Sequence, residues 1–235
     1  MEHVTDVGPK TAQPVRPGWP EMLVGIIAMA AVGFGLPIAV SGQFDLTSPL
    51  GGALLACLSG VAGLAGFVAA AALRRRSWQS FGIRRTTTRW LWLGVAGGVV
   101  ALLAKGLLTP LFVALTDAPT DTQAGYAAGA SSGPWLLVLT AIGLVVLTPI
   151  GEEFLFRGVV TTGLLRYGPV IATLGSSVIF ALLHGINVVL PAALIVGIIT
   201  AELRRRSDSV WPGVVVHAFN NSITVIAYAL VPGIV

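Results

Sequence analysis

Long apolar stretches separated by short polar turns run along the whole chain. They cover about residues 19–40, 49–73, 90–115, 134–166, 169–184, 186–203 and 211–231. A run of roughly 20 apolar residues is the length of a membrane-crossing helix. The pattern therefore predicts an all-α, polytopic membrane protein of about seven transmembrane helices with an intramembrane polar site. The fourth stretch begins at Pro134-Trp135 and runs on to Arg166, with a kink expected at Pro149. Ser59, Gly63 and Gly66 give the second stretch small residues for close helix packing. Residues 116–133 carry Asp117 and Asp121 but no Lys or Arg, and read as an outer loop. Residues 1–18 are polar, contain Pro9, Pro14 and Pro17, and read as a disordered cytosolic tail. The expected divisions are that tail, a pair of N-terminal helices over 19–77, and a domain over 78–235 that holds the polar site.

Composition supports this pattern. Of 235 residues, 55% are hydrophobic and 10% charged, against roughly 25% charged in a soluble domain. The length suits one domain. The net charge of +4 comes largely from arginines in short loops, which orient a membrane protein and do not point to nucleic acid. Arg74, Arg75, Arg76, Arg84, Arg85 and Arg89 place one loop in the cytosol; Arg204, Arg205 and Arg206 place a second there. The N-terminus is then cytosolic and, with seven crossings, the C-terminus lies outside. Cys57 is the single cysteine, which excludes an intramolecular disulfide and a cysteine-based metal site.

Ionisable groups inside apolar stretches change the picture, because they are costly there and mark function. The run Pro149-Ile150-Gly151-Glu152-Glu153-Phe154-Leu155-Phe156-Arg157-Gly158 holds three of them. Glu153 and Arg157 are four residues apart, on one helix face, and can neutralise each other. Glu152 points about 100° away and lacks that partner, which suits a general base or acid. Of the three histidines, His3 lies in the tail, while His184 and His217 lie in apolar stretches. Phe180 shares a face with His184, and Asn221 with His217; Asn220 points elsewhere. One carboxylate, two imidazoles and a carboxamide suffice to activate water and stabilise an oxyanion in peptide hydrolysis. Glu152, His184 and His217 could instead hold a divalent metal such as zinc. Counting residues puts Glu152 about 21 Å from Arg166, His184 about 22 Å from Pro169, and His217 only about 9 Å from Trp211. Lys105, about 22 Å from the cytosolic face, either snorkels outward or faces an internal cavity.

These residues carry a family resemblance. Pro149-Ile150-x-Glu152-Glu153-x-x-x-Arg157-Gly158 resembles the first motif of the CPBP intramembrane proteases, the CAAX-protease and bacteriocin-processing (Abi) family. Phe180-x-x-x-His184 resembles its second motif and His217-x-x-x-Asn221 its last. Gly197, Ser209-Val210-Trp211-Pro212 and Ser80-Phe81-Gly82-Ile83-Arg84 are similar to further family features, so the resemblance spans about residues 78–228. Glu202 departs from it, standing where members often carry an aromatic residue and a Thr-Gly turn. The resemblance implies an intramembrane endopeptidase, a metalloprotease or a glutamate protease, in the plasma (inner) membrane of a prokaryote. Its substrate would be a membrane-associated protein or peptide. Glu152 would activate water, His184 would position it, and His217 and Asn221 would stabilise the oxyanion. Glu153, Arg157 and Phe180 would support the site.

The alternative is a non-proteolytic member of the same fold, a bacteriocin-immunity or membrane scaffold protein whose polar cluster is structural. A proton-coupled carrier using Glu152 and Lys105 is weaker, since no inverted repeat is evident. Gly129-Ala130-Ser131-Ser132-Gly133 matches a nucleophile-elbow pattern, but without a strand before it the segment reads as a linker.

Overall fold

A computed structural model describes residues 16–74 and 76–231. Residues 1–15 of the expected tail, with His3 and Lys10, and Arg75 lie outside the described residues. The architecture is that of an all-helical polytopic membrane protein. In chain order the helices are α1 (Trp19–Val40), α2 (Pro49–Leu73), α3 (Thr88–Thr116), α4 (Ala124–Ser131), α5 (Pro134–Tyr167), α6 (Pro169–Leu183), α7 (Leu190–Ser207) and α8 (Trp211–Leu230). Five of them, α1, α2, α3, α5 and α8, are long and apolar enough to cross a membrane. Helix α6 is shorter, and α7 ends in the arginine triplet. The outer surface is apolar: Ile38, Leu107, Leu115 and Leu230 are each 73–75% exposed. That is the surface a helix bundle shows to lipid.

Helix starts follow the expected chemistry. Ser48 caps α2 by accepting from Gly51 N–H at 3.1 Å, with Pro49 in the first turn. The start of α1 is pinned by Glu21, fully buried, which accepts from Gly18 N–H at 2.9 Å and from Arg76 at 2.7 Å. Three departures from the sequence expectation matter for the site. The outer loop contains α4, because Gly125 and Gly129 let it lie against the start of α2; a Cβ at Gly52 would sit 1.8 Å from Gly125 O. Helix α7 begins at Leu190, not Ile186, because Gly185 takes a left-handed conformation (φ +84°) and Asn187 bonds both His184 O and Val189 N–H. Helix α8 begins well inside the fold. Val210 N–H donates to Gly82 O, and the turn before Gly82 lies against Gly158, where a Cβ would be 3.1 Å from Phe81 O. Gly158 is eight residues from Arg166, about 12 Å of helix. This inset start gives His217 the depth that residue counting from Trp211 did not.

The central contact is α2 against α5, backbone to backbone. A Cβ at Gly60 would be 2.3 Å from Leu147 C, and one at Gly151 would be 2.2 Å from Gly60 O. Only hydrogen fits at either position. Gly35 in α1, by contrast, has open space where its Cβ would be. Gly60→Ala is expected to cost about 1–3 kcal/mol by overpacking. Gly35→Ala is expected to be neutral or slightly stabilising. Thermal unfolding of the two purified variants checks the pair, and equal midpoints would show that the α2–α5 approach is not tight.

Candidate active site

The site is built on the middle of α5, and Pro149 sets its local form. Proline has no N–H and crowds the preceding turn. Before it the chain opens into a π-helical turn over Ile142–Leu147. Thr148 N–H there donates to Gly143 O, five residues back. The next bond in that register would run from Pro149 to Leu144 O, and proline cannot make it. Asn221 of α8 supplies the missing donor: its Nδ2 lies 2.7 Å from Leu144 O. A second π-helical stretch, Phe154–Thr161, follows the glutamates and carries Arg157. Such turns are frequent at functional sites.

Glu152, Glu153 and Arg157 are 2%, 0% and 0% exposed. The i, i+4 pair forms, with Arg157 Nε 3.1 Å from Glu153 Oε2. Arg157 gives its Nε–H to Thr200 Oγ1 at 2.5 Å, so its contact with Glu153 is charge against charge. The guanidinium also lies over the Phe180 ring, 4.9 Å from the centroid. Glu152 faces away from this pair. Its Oε1 accepts from Ser59 Oγ of α2 at 3.0 Å. Its Oε2 is buried without a hydrogen-bond partner among the described residues. That oxygen stands 3.9 Å from His184 Nε2 and 3.9 Å from His217 Nε2.

Both rings are oriented from behind. His184 Nδ1 is 2.9 Å from Phe180 O. A carbonyl only accepts, so Nδ1 carries the hydrogen and Nε2 faces Glu152. His217 Nδ1 is 3.4 Å from Glu153 Oε1, which likewise turns its Nε2 toward Glu152. Phe180 is wedged between the rings, with centroids 4.7 Å from His184 and 5.9 Å from His217. Asn220 is buried and donates to Gly98 O and Val216 O, each at 3.2 Å. Glu152, His184 and His217 thus converge, with Glu153, Arg157 and Phe180 behind them.

A cavity of about 610 Å³ opens from these groups. Asn221 lines it, as do Ser59, Tyr126 and Lys105. Lys105 therefore turns inward, and its Nζ lies 3.3 Å from Thr224 Oγ1. Sequence reasoning missed Ser59 as a site residue and treated it as a packing position. The signal was there in a hydroxyl next to the glycines that bring α2 onto α5. A three-ligand zinc would need each donor about 2.0–2.2 Å from one point, hence about 3.4 Å from its neighbours at tetrahedral angles. The 3.9 Å separations are wider, and no three His, Cys, Asp or Glu among the described residues are arranged to hold a metal ion. As placed, the donors do not fit a metal.

Residues 134–223 match the family model of Rce1-like proteins, type II CAAX prenyl endopeptidases. This segment is similar to the CAAX protease family. No curated protein and no solved structure matches the chain. Together with the apolar helices, the match makes the chain an integral membrane protein. The matched segment contains Glu152, Glu153, Arg157, Phe180, His184, His217 and Asn221. Ser59, Lys105 and Thr224 lie outside it. The proline clasp in this segment can be tested by a double-mutant cycle. Asn221→Leu leaves Leu144 O without a donor, at a cost of about 1–3 kcal/mol. Pro149→Ala restores a main-chain N–H, so the same Asn221 change is expected to cost at least about 1 kcal/mol less in that background, by thermal or denaturant unfolding. Additive losses would show that Asn221 does not replace the missing bond.

Proposed function

We propose that the protein is an intramembrane endopeptidase in which Glu152 activates a water. The observation that carries this is the buried, unpartnered Oε2 of Glu152, equidistant from two imidazole nitrogens at 3.9 Å. That gap is too long for a direct hydrogen bond and is spanned by one water at ordinary hydrogen-bond lengths.

In this reading the water gives one hydrogen to Glu152 Oε2 and the other to His184 Nε2. Its oxygen attacks the scissile carbonyl carbon as Glu152 takes the proton. The carbonyl oxygen becomes an oxyanion. His217, backed by Glu153, donates to it from Nε2, and the second amide hydrogen of Asn221 faces the same space. Glu152 then passes its proton to the departing amine as the C–N bond breaks. Ser59 holds the other carboxylate oxygen and fixes its orientation. Glu153 and Arg157 form a neutral pair behind the site. No step is routed through a metal. The arginine loops at 74–89 and 204–206 lie on the cytosolic face, and the substrate is a membrane-associated protein or peptide.

Glu152→Gln keeps the shape and the Ser59 contact but removes the base. It is expected to lower peptide release by roughly 10²–10⁴-fold, while the protein accumulates normally. Comparing membrane peptidomes of cells carrying the two forms, and cleavage in proteoliposomes, checks this. Full activity in Glu152→Gln would leave the scaffold reading in its place. Dialysis of the wild type against a chelator is expected to leave its cleavage rate within about twofold, whereas a zinc-dependent enzyme would lose activity and regain it on adding zinc.

A further inference from the structure

The cavity is lined from one end of the bundle only. Helix α7 lines it between Ala192 and Val196, within its first two turns, although it runs on to Ser207. Helix α5 lines it as far as Glu152 and no further, and α6 adds only Phe180 in its last turn, with His184 just beyond. The wall continues into Thr120 and Gln123, before α4, and into Val188, between α6 and α7. These segments are bonded to one another. Val188 N–H donates to Pro119 O at 3.1 Å, and Tyr228 OH, near the end of α8, to Gln123 Oε1 at 2.6 Å. Thr120 is exposed, so the cavity reaches the surface at this end. Its length follows from α8, where the lining runs from His217 to Tyr228, about 16 Å of helix.

On the other side of Glu152 the bundle is packed. The Phe156 ring centroid lies 4.9 Å from that of Phe180, and Phe67 lies 5.3 Å from Phe81. All four rings are at most 2% exposed. Further on, Arg204 is buried and donates to Thr162 Oγ1 at 3.0 Å. The two arginine loops meet at this closed end, where Arg84 Nε donates to Asp208 O at 2.9 Å. The loops at the open end carry Asp45, Asp117 and Asp121 and no Lys or Arg. Such an asymmetry puts the closed end in the cytosol and the open end outside. Peptide hydrolysis consumes water, which hydrocarbon does not supply. The water that Glu152 activates then enters through the outer mouth. The side chain of His184 is 26% exposed, against 7% for His217 and 2% for Glu152, so the route arrives on the His184 side.

We propose that the site is entered from the extracytoplasmic side, and that its substrates are extended chain segments on the outer side of membrane-anchored proteins. The proposal rests on the endopeptidase reading for the cut, but not for the direction of access. An extended chain covers about 3.3 Å per residue, so about five residues span the 16 Å between the mouth and His217. A segment on the cytosolic side meets the packed rings and Arg204 instead, with no opening to Glu152.

The test uses the full chain in sealed membrane vesicles, right-side-out and inside-out, with Cys57→Ala to remove the native thiol. Single cysteines are placed at the mouth (Thr120→Cys), in the cavity wall (Ala192→Cys) and in the arginine loop (Thr87→Cys). The probe is a sulfonate-bearing methanethiosulfonate, and the added mass is read by mass spectrometry. A charged reagent does not cross the bilayer, so Thr120→Cys and Ala192→Cys are expected to react at least about tenfold faster in right-side-out vesicles, and Thr87→Cys in inside-out ones. Thr120→Cys stands at the surface and reports the side of the mouth even where the wall variant does not accumulate. In a second arm, a single-span reporter carries the same apolar segment just outside one end of its span or the other. The wild type is expected to cut the outer segment and not the inner one, and Glu152→Gln neither. If either cavity cysteine reacts as fast or faster from the cytosolic side, or the inner segment is cut as fast as the outer, outward access is overturned. If the labelling is as expected but neither reporter is cut, outward access stands and the endopeptidase reading falls.

Discussion

Two adjacent carboxylates inside an apolar helix bundle need a cation in contact with at least one of them, and Arg157 is that cation. It is wholly buried, and its surroundings are built to keep it so: Glu153 at 3.1 Å, Thr200 at 2.5 Å, and the face of Phe180 under the guanidinium. A buried pair of this kind contributes little net stability, but removing one partner strands the other at a cost of about 3–5 kcal/mol. The site inherits its geometry from this pair. Glu153, held by Arg157, orients His217; Phe180, covering Arg157, separates the two imidazoles and offers its carbonyl to His184. Glu152, the carboxylate outside the pair, is then the one left facing open space.

Pro149 imposes the second constraint. A proline within a long helix would strand main-chain carbonyls in an apolar setting, where no water satisfies them. The π-helical turn before it and the Asn221 amide on Leu144 O divide that burden between one helix and its neighbour. The same amide thereby ties α8 to α5. On the opposite side, Gly60 and Gly151 let α2 approach until Ser59 reaches Glu152. One missing N–H and two missing side chains thus bring α8 and α2 onto the middle of α5.

The cavity separates its charges along its length. Glu152, His184 and His217 line it together with Lys105, whose Nζ contacts Thr224, seven residues along α8 from His217.

Much of the architecture was legible from the chain. Apolar runs located the long helices within a few residues, because a membrane-spanning helix must satisfy all its main-chain groups internally and announces itself by length and hydropathy. The i, i+4 spacing foretold that Glu153 would take Arg157 and leave Glu152 apart, because that pairing is local to one helix. Helix α4 was hidden, since its run of glycine and alanine has no apolar periodicity and folds only against the glycines of α2. The depth of His217 was misleading in the sequence, because it depends on the Gly82 turn entering the fold to receive Val210 N–H. Ser59 and Lys105 were indistinguishable from a packing serine and a snorkelling lysine. Their roles depend on which neighbour each helix face meets, and that is set by contacts between residues about 90 and 119 positions apart in the chain. Local spacing determined which groups could pair within a helix; long-range packing alone decided which groups face the cavity together.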